Sequence, residues 1–190
     1  ARPFEMFFHN ANSRIGLAEV LLLKGDINAA REAAEQSLVH AEAIGAQDTR
    51  AEIFRLQAQI MLELGDLGEA SRLASRSARQ ATATGNPSHE SAACRVLSEI
   101  EIRAGDLQAA HEALRHAQGV LEGKSDELET GRVVAQRGRL YLYQGRQAEA
   151  EADLRAAKMV FMRLGANLDL RRVEDALVSP ESHRVLAPHA

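Results

Sequence analysis

Histidine and cysteine are the side chains here that could bring metal or nucleophilic chemistry, and the chain holds seven of the first and one of the second. One stretch, His111-Glu112-Ala113-Leu114-Arg115-His116, comes close to the metal-binding helix pattern H-E-x-x-H. Its spacing is wrong. Histidines four apart share a helical face, whereas five apart they stand about 140° from one another. The remaining histidines, His9, His40, His89, His183 and His189, show no ligand spacing. Cys94 cannot form an internal disulfide and lies beside Val96-Leu97 in the same repeat column as Phe54 and Val134. That is the setting of an inert core thiol, since a reactive one needs an accessible, electropositive pocket. Gly119, Gly123, Gly131 and Gly138 are dispersed and build no phosphate loop, and no G-x-S-x-G elbow occurs. The expectation is a chain that is not an enzyme, with no catalytic residue, no metal site and no cofactor.

The elements that would carry any other function follow from composition and period. The 190 residues are 45% hydrophobic and 26% charged but only 4% aromatic, and they lack tryptophan. Such a chain can bury a core, and its alanine content favours helix throughout. No apolar stretch is longer than Val20-Leu21-Leu22-Leu23, far below the roughly 18 residues a membrane helix needs. No signal peptide is visible, which points to the cytoplasm. The chain starts at Ala1 and not at methionine, which reads as a piece excised from a longer protein. A formal charge of −4 argues against direct nucleic-acid binding, which is driven by clustered Lys and Arg.

A repeat of 40 residues organises the chain. Lys24-Gly25-Asp26-Ile27, Leu64-Gly65-Asp66-Leu67, Ala104-Gly105-Asp106-Leu107 and Gln144-Gly145-Arg146-Gln147 fall in one register. Ala30, Ala70, Ala110 and Ala150 share a column; so do Ala18, Ala58, Ser98 and Gly138, and Ser37, Ser77, Ala117 and Ala157. Small residues at fixed helical offsets let neighbouring helices approach closely, and larger ones there would overpack the contact. Val20, Ile60, Ile100 and Leu140, with Leu22, Leu62, Ile102 and Leu142, are expected to fill the space between helices. In each period Gly closes one helix and Asp caps the next, with Arg146 the exception. A second Gly column, Gly45, Gly85 and Gly165 with Ser125 as the variant, ends the second helix. The predicted helices span 5–23, 27–44, 47–63, 67–84, 87–103, 107–122, 126–143, 147–164 and 167–178, with 179–190 a flexible tail.

Gly25-Asp26-Ile27-Asn28-Ala29-Ala30, with Ala18 before it and Ser37 after it, resembles the core signature of a tetratricopeptide repeat. The resemblance covers about residues 6–165. It departs from the usual 34-residue period and from the closing proline, whose column holds Glu42, Thr82, Glu122 and Met162. Longer repeats of this kind are similar to the sensor regions of bacterial signal-transduction proteins and LuxR-type regulators. HEAT repeats share the period but lack the Gly-Asp and small-residue register. The resemblance implies an all-α, right-handed superhelical solenoid forming one domain over 1–178. Its repeats would span about 6–45, 46–85, 86–125 and 126–165, with a C-terminal capping helix at 166–178.

In such a solenoid the first helix of each repeat lines a concave groove. By this register the groove would carry Arg55, Gln59, Arg95, Glu99, Arg103, Arg132, Arg139 and Tyr143, together with Glu19, Glu52 and Glu63. Gly25, Gly65, Gly105, Gly145, Ala30, Ala70, Ala110 and Ala150 would be structural. The arginines suit a carboxylate-bearing peptide or protein partner. Equally, Arg95, Glu99 and Arg103, spaced i, i+4 and i+8, could satisfy one another. The chaperone-binding carboxylate clamp is disfavoured, because Ile15, Arg55, Glu19 and Gln59 stand where it needs Lys and Asn. The implied function is a non-catalytic protein-protein interaction module, a sensor or scaffold within a larger bacterial signalling or transcription-control protein. The alternative is a receptor domain that senses a ligand or signal peptide and controls an attached effector. Arg72, Arg76 and Arg79 form a basic stripe expected on the outer, solvated face. Phe4, Phe7 and Phe8, with Met6, form either a self-association surface or the cap of the first helix pair.

Overall fold

The computed structural model describes residues 3–178, which form nine α-helices and, among the described residues, no strand. They are α1 (Pro3–Leu23), α2 (Ile27–Ala43), α3 (Gln47–Glu63), α4 (Leu67–Thr84), α5 (Pro87–Ala104), α6 (Leu107–Leu121), α7 (Glu127–Tyr143), α8 (Gln147–Leu164) and α9 (Asn167–Val178). Every boundary lies within two residues of the expected one. The tail 179–190 and the Phe4 side chain lie outside what is described. No described helix is long and apolar enough to cross a membrane.

The turns form for the reasons the sequence offers. Gly25, Gly65, Gly105 and Gly145 take φ between 72 and 85°, where a Cβ would be strained. Asp26, Asp66 and Asp106 then accept the backbone N–H of Ala29, Glu69 and Ala109 at 3.2, 3.0 and 2.9 Å. Arg146 supplies no such cap; its guanidinium lies 4.2 Å from the centroid of the Tyr141 ring and bonds Glu149 instead. The Ser125 column is corrected. The left-handed residue there is Gly123, so α6 stops at Leu121, and Asp126 caps α7 by accepting from Glu129 N at 2.9 Å. Asp106→Ala should lower stability by about 1 kcal/mol in urea melts, the usual cost of an N-cap; an unchanged midpoint would show the bond idle.

The chain divides into two compact units, Ala1–Val96 and Leu97–Ala190, the boundary falling inside α5. In the first, α1 packs on α2, α3 on α4, and α2 on α3. Ile53, Leu56 and Ile60 of α3 share a core with Ala30, Ala33, Ala34 and Ala41 of α2 and with Ala11, Ile15 and Ala18 of α1. The small column at Ser37 and Ser77 does more than make room. Each buried hydroxyl donates to a first-helix carbonyl, Ser37 Oγ to Ala11 O at 2.8 Å and Ser77 Oγ to Ala51 O at 2.6 Å. In the second unit α7 packs on α8, and α9 closes against both. Ala150, Leu154, Ala157 and Phe161 of α8 meet Val173 and Ala176 of α9. Ala30, Ala70, Ala110 and Ala150 are all fully buried.

One column departs from expectation. Ile60, Ile100 and Leu140 are buried, but Val20 is 48% exposed, because no described residue covers that side of α1.

Candidate functional site

The polar faces of the first helices hold the expected site residues, and the two units are described in turn. In the first, Arg55 of α3 donates to Gln59 Oε1 at 2.6 Å and to Glu19 Oε1 of α1 at 2.8 Å. Its side chain is 13% exposed, so this arginine is tied to residues of its own chain. An incoming carboxylate would have to displace Glu19, itself half in water. Arg95, on α5, is likewise engaged.

In the second unit Glu99 and Arg103 of α5 pair at 3.6 Å. Gln136 of α7 donates from Nε2 to Glu99 Oε2 at 2.5 Å. Reciprocal pairing along α5 is therefore real at Glu99 and Arg103. Tyr143, one turn beyond Arg139 on α7, shares this neighbourhood. Burial, and then the Glu99 carboxylate, push its hydroxyl above the ordinary tyrosine range, while Arg103 and Arg139 pull the other way. Tyr143 therefore stays a neutral donor at physiological pH. Arg139 differs from the other arginines of this surface: its Nε is buried and makes no hydrogen bond. A buried guanidinium N–H without an acceptor is costly, and Arg139, unlike Arg55 and Arg132, has no carboxylate of its own chain holding it at Nε.

Arg132 holds α9. Its Nε and Nη2 donate to Asp169 Oδ1 and Oδ2 of α9 at 3.1 and 3.0 Å, and Glu129 stands 3.7 Å away. It sits where the sequence placed it on α7, but it grips α9. Arg137 does the same toward α8, donating to both oxygens of Asp153 at 2.6 and 2.8 Å. Sequence reasoning missed Gln136, Asp169 and Asp153 as partners. Gln136 was detectable, because it puts a polar residue in the column of Leu56 and Val96.

The basic stripe on α4 is exposed, as expected. Arg72 is paired with Glu69 on the surface, but the Arg76 guanidinium lies 3.9 Å from the centroid of the Phe54 ring. Arg76 thus covers core as well as facing water. At the N-terminus, Phe7 is half-buried with its ring 5.5 Å from His40, whereas Met6 and Phe8 are exposed. The aromatic cluster is split between an internal cap at Phe7 and an outward pair.

The near-motif on α6 resolves into two unrelated histidines. His111 is half-buried with its ring 6.1 Å from Tyr141, and His116 is exposed. Among the described residues no group of three or more His, Cys, Asp or Glu could hold a metal ion. Cys94 is buried, and burial, with a smaller contribution from Glu90, pushes its thiol up to about 12. An unfolded thiol titrates near 8.5. The folded state therefore holds this proton more tightly, and its stabilising effect is complete below about pH 8 and lost as pH rises toward 12. A thiol reagent at pH 8 should label native protein at least a hundredfold more slowly than urea-unfolded protein; equal rates would place Cys94 at the surface.

No family model matches the sequence. No curated protein matches it either. Among solved structures, BtubC (BKLC) from P. vanneervenii is similar to this chain with a TM-score of 0.61 at 15% identity, over 100% of this chain and 94% of that one. At that identity the likeness is one of fold: all-helical and repeat-like.

Proposed function

We propose that this chain is a non-catalytic interaction module of tetratricopeptide type. Its first helices line the concave groove of a right-handed superhelix, and a carboxylate-bearing peptide or protein segment lies along them. In this reading it is the sensor or scaffold region of a larger bacterial signalling or transcription-control protein, acting in the cytoplasm. The observation that carries the proposal is the polar surface around Arg139, where Glu99, Arg103, Gln136 and Tyr143 gather and the buried Arg139 Nε has no acceptor. Arg139 and Tyr143 become the leading contacts. Arg55 and Arg132 move to supporting roles, because Glu19 and Asp169 already occupy them.

Capture of partners by the immobilised chain tests this. An Arg139→Glu, Arg103→Glu double variant should lose the partners that wild type retains. The matching outer variant is Arg72→Glu, Arg79→Glu, since Arg76 is unsuitable while its guanidinium covers Phe54. Loss of partners by the outer variant alone would move the binding face to α4.

A further inference from the structure

We infer that the outward face of α1, formed by Ser13, Gly16, Val20 and Leu23, is a docking surface for an amphipathic helix that carries an alanine-serine stripe like that of α2. This goes beyond the groove proposed above and does not depend on it.

The residues lie at i, i+3, i+7 and i+10, one side of a helix, and all are exposed. In later periods the Leu23 column holds the exposed Glu63 and the half-buried Arg103 and Tyr143, but the columns of Ser13, Gly16 and Val20 are buried. Forty residues on, they hold Ile53, Leu56 and Ile60; eighty on, Ala93, Val96 and Ile100; and then Val133, Gln136 and Leu140. Val20 is 48% exposed where its counterparts are at 0, 2 and 0%. Leu17 and Leu23 beside it are 49% and 46% exposed, so the face is a continuous apolar strip and not one stray valine.

The chain itself shows what covers such a face. Ile53, Leu56 and Ile60 are buried against Ala30, Ala33, Ala34 and Ala41 of α2, which enters α3 through the turn Ile44-Gly45-Ala46. Ser13 and Gly16 are smaller than Ile53 and Leu56, their counterparts on α3, and let a helix come closer still. A second copy has no such stripe to offer, since Ala30, Ala70, Ala110 and Ala150 are fully buried in their own units. The occupant is therefore a helix with alanine or serine at i, i+3, i+4 and i+7, supplied from outside the described residues.

The test uses a thiol as reporter, because Cys94 is silent. Val20→Cys in the chain of 190 residues should react with a maleimide as an exposed thiol does. The probe is a copy of residues 26–46 joined ahead of Phe7 in place of residues 1–6, so that its turn enters α1 in the register in which Ala46 enters α3. That addition should slow Val20→Cys labelling at least tenfold, leave Val39→Cys on α2 fast, and lose its effect when glutamate replaces the copied Ala33 and Ala34. Leu23→Cys repeats the measurement should Val20→Cys disturb folding. Unchanged labelling with the added helix would overturn the proposal. So would protection of Val20→Cys in the chain alone, whether constant, which means cover by its own residues, or rising with protein concentration, which means a second copy.

Discussion

Phe161→Ala should destabilise the chain by about 3–5 kcal/mol, the range for removing a fully enclosed aromatic ring. Phe161 is 1% exposed and sits where α7, α8 and α9 converge, in one cluster with Leu154, Ala157, Val173 and Ala176. A Cβ built on Gly131 would fall 3.0 Å from the ring atom Cε1, so the ring fills its site to the backbone of α7. Leu154, Val160 and the α9 residues are anchored in their own helices and can follow only partly into the space left behind. Urea unfolding should show the loss with an unchanged slope. A loss under about 1 kcal/mol would mean that this core is not closed as described.

Overpacking at Gly138 should be nearly as severe. An added Cβ would lie 2.9 Å from Leu154 Cγ and 3.2 Å from the Ala150 carbonyl oxygen, so even alanine forces a shift and leucine must part α7 from α8. The expected cost of Gly138→Leu is about 1–3 kcal/mol or more. Ala70→Leu, in the equally enclosed alanine column, should fall in the same range. Arg72→Leu, on an exposed site where only the surface pair with Glu69 is lost, should stay within about 0.5 kcal/mol. Equal thermal shifts for these three variants would contradict the 40-residue register.

The parts of the fold that were legible are those written in local chemistry. Gly-Asp at 25–26, 65–66 and 105–106 states a left-handed residue followed by a cap, and both are present. The small columns state close helix contacts, and Gly138 meets Leu154 as that requires. Illegible were pairings that depend on how two helices meet. Arg132 and Asp169 are 37 residues apart, as are Gln136 and Glu99, and nothing in the period of one helix names its partner on another. The contact of Arg76 with Phe54 was illegible too, because projection on a helix gives the direction of Cβ, while a guanidinium on its long stem can reach back over the ring. Val20 was misjudged because a register reports which positions are alike, and burial also needs a neighbour to cover them. At the candidate site, sequence placed Arg55, Arg132 and Arg139 in one class. Their partners separate them: Glu19 and Asp169 hold the first two, and Arg139 keeps an unmatched Nε.

That distinction makes Arg139 the position at which the proposed function is most exposed to refutation. A partner captured by the wild-type chain should be titrated calorimetrically against wild type, Arg139→Glu and Arg72→Glu, with melts of each variant to establish that it is folded. Arg139→Glu should weaken the partner more than tenfold, about 1.4 kcal/mol, because a charge-assisted bond is lost and a carboxylate faces a carboxylate. Arg72→Glu should change affinity less than twofold. Wild-type affinity in a folded Arg139→Glu variant would contradict the assignment of the first-helix face as the binding surface.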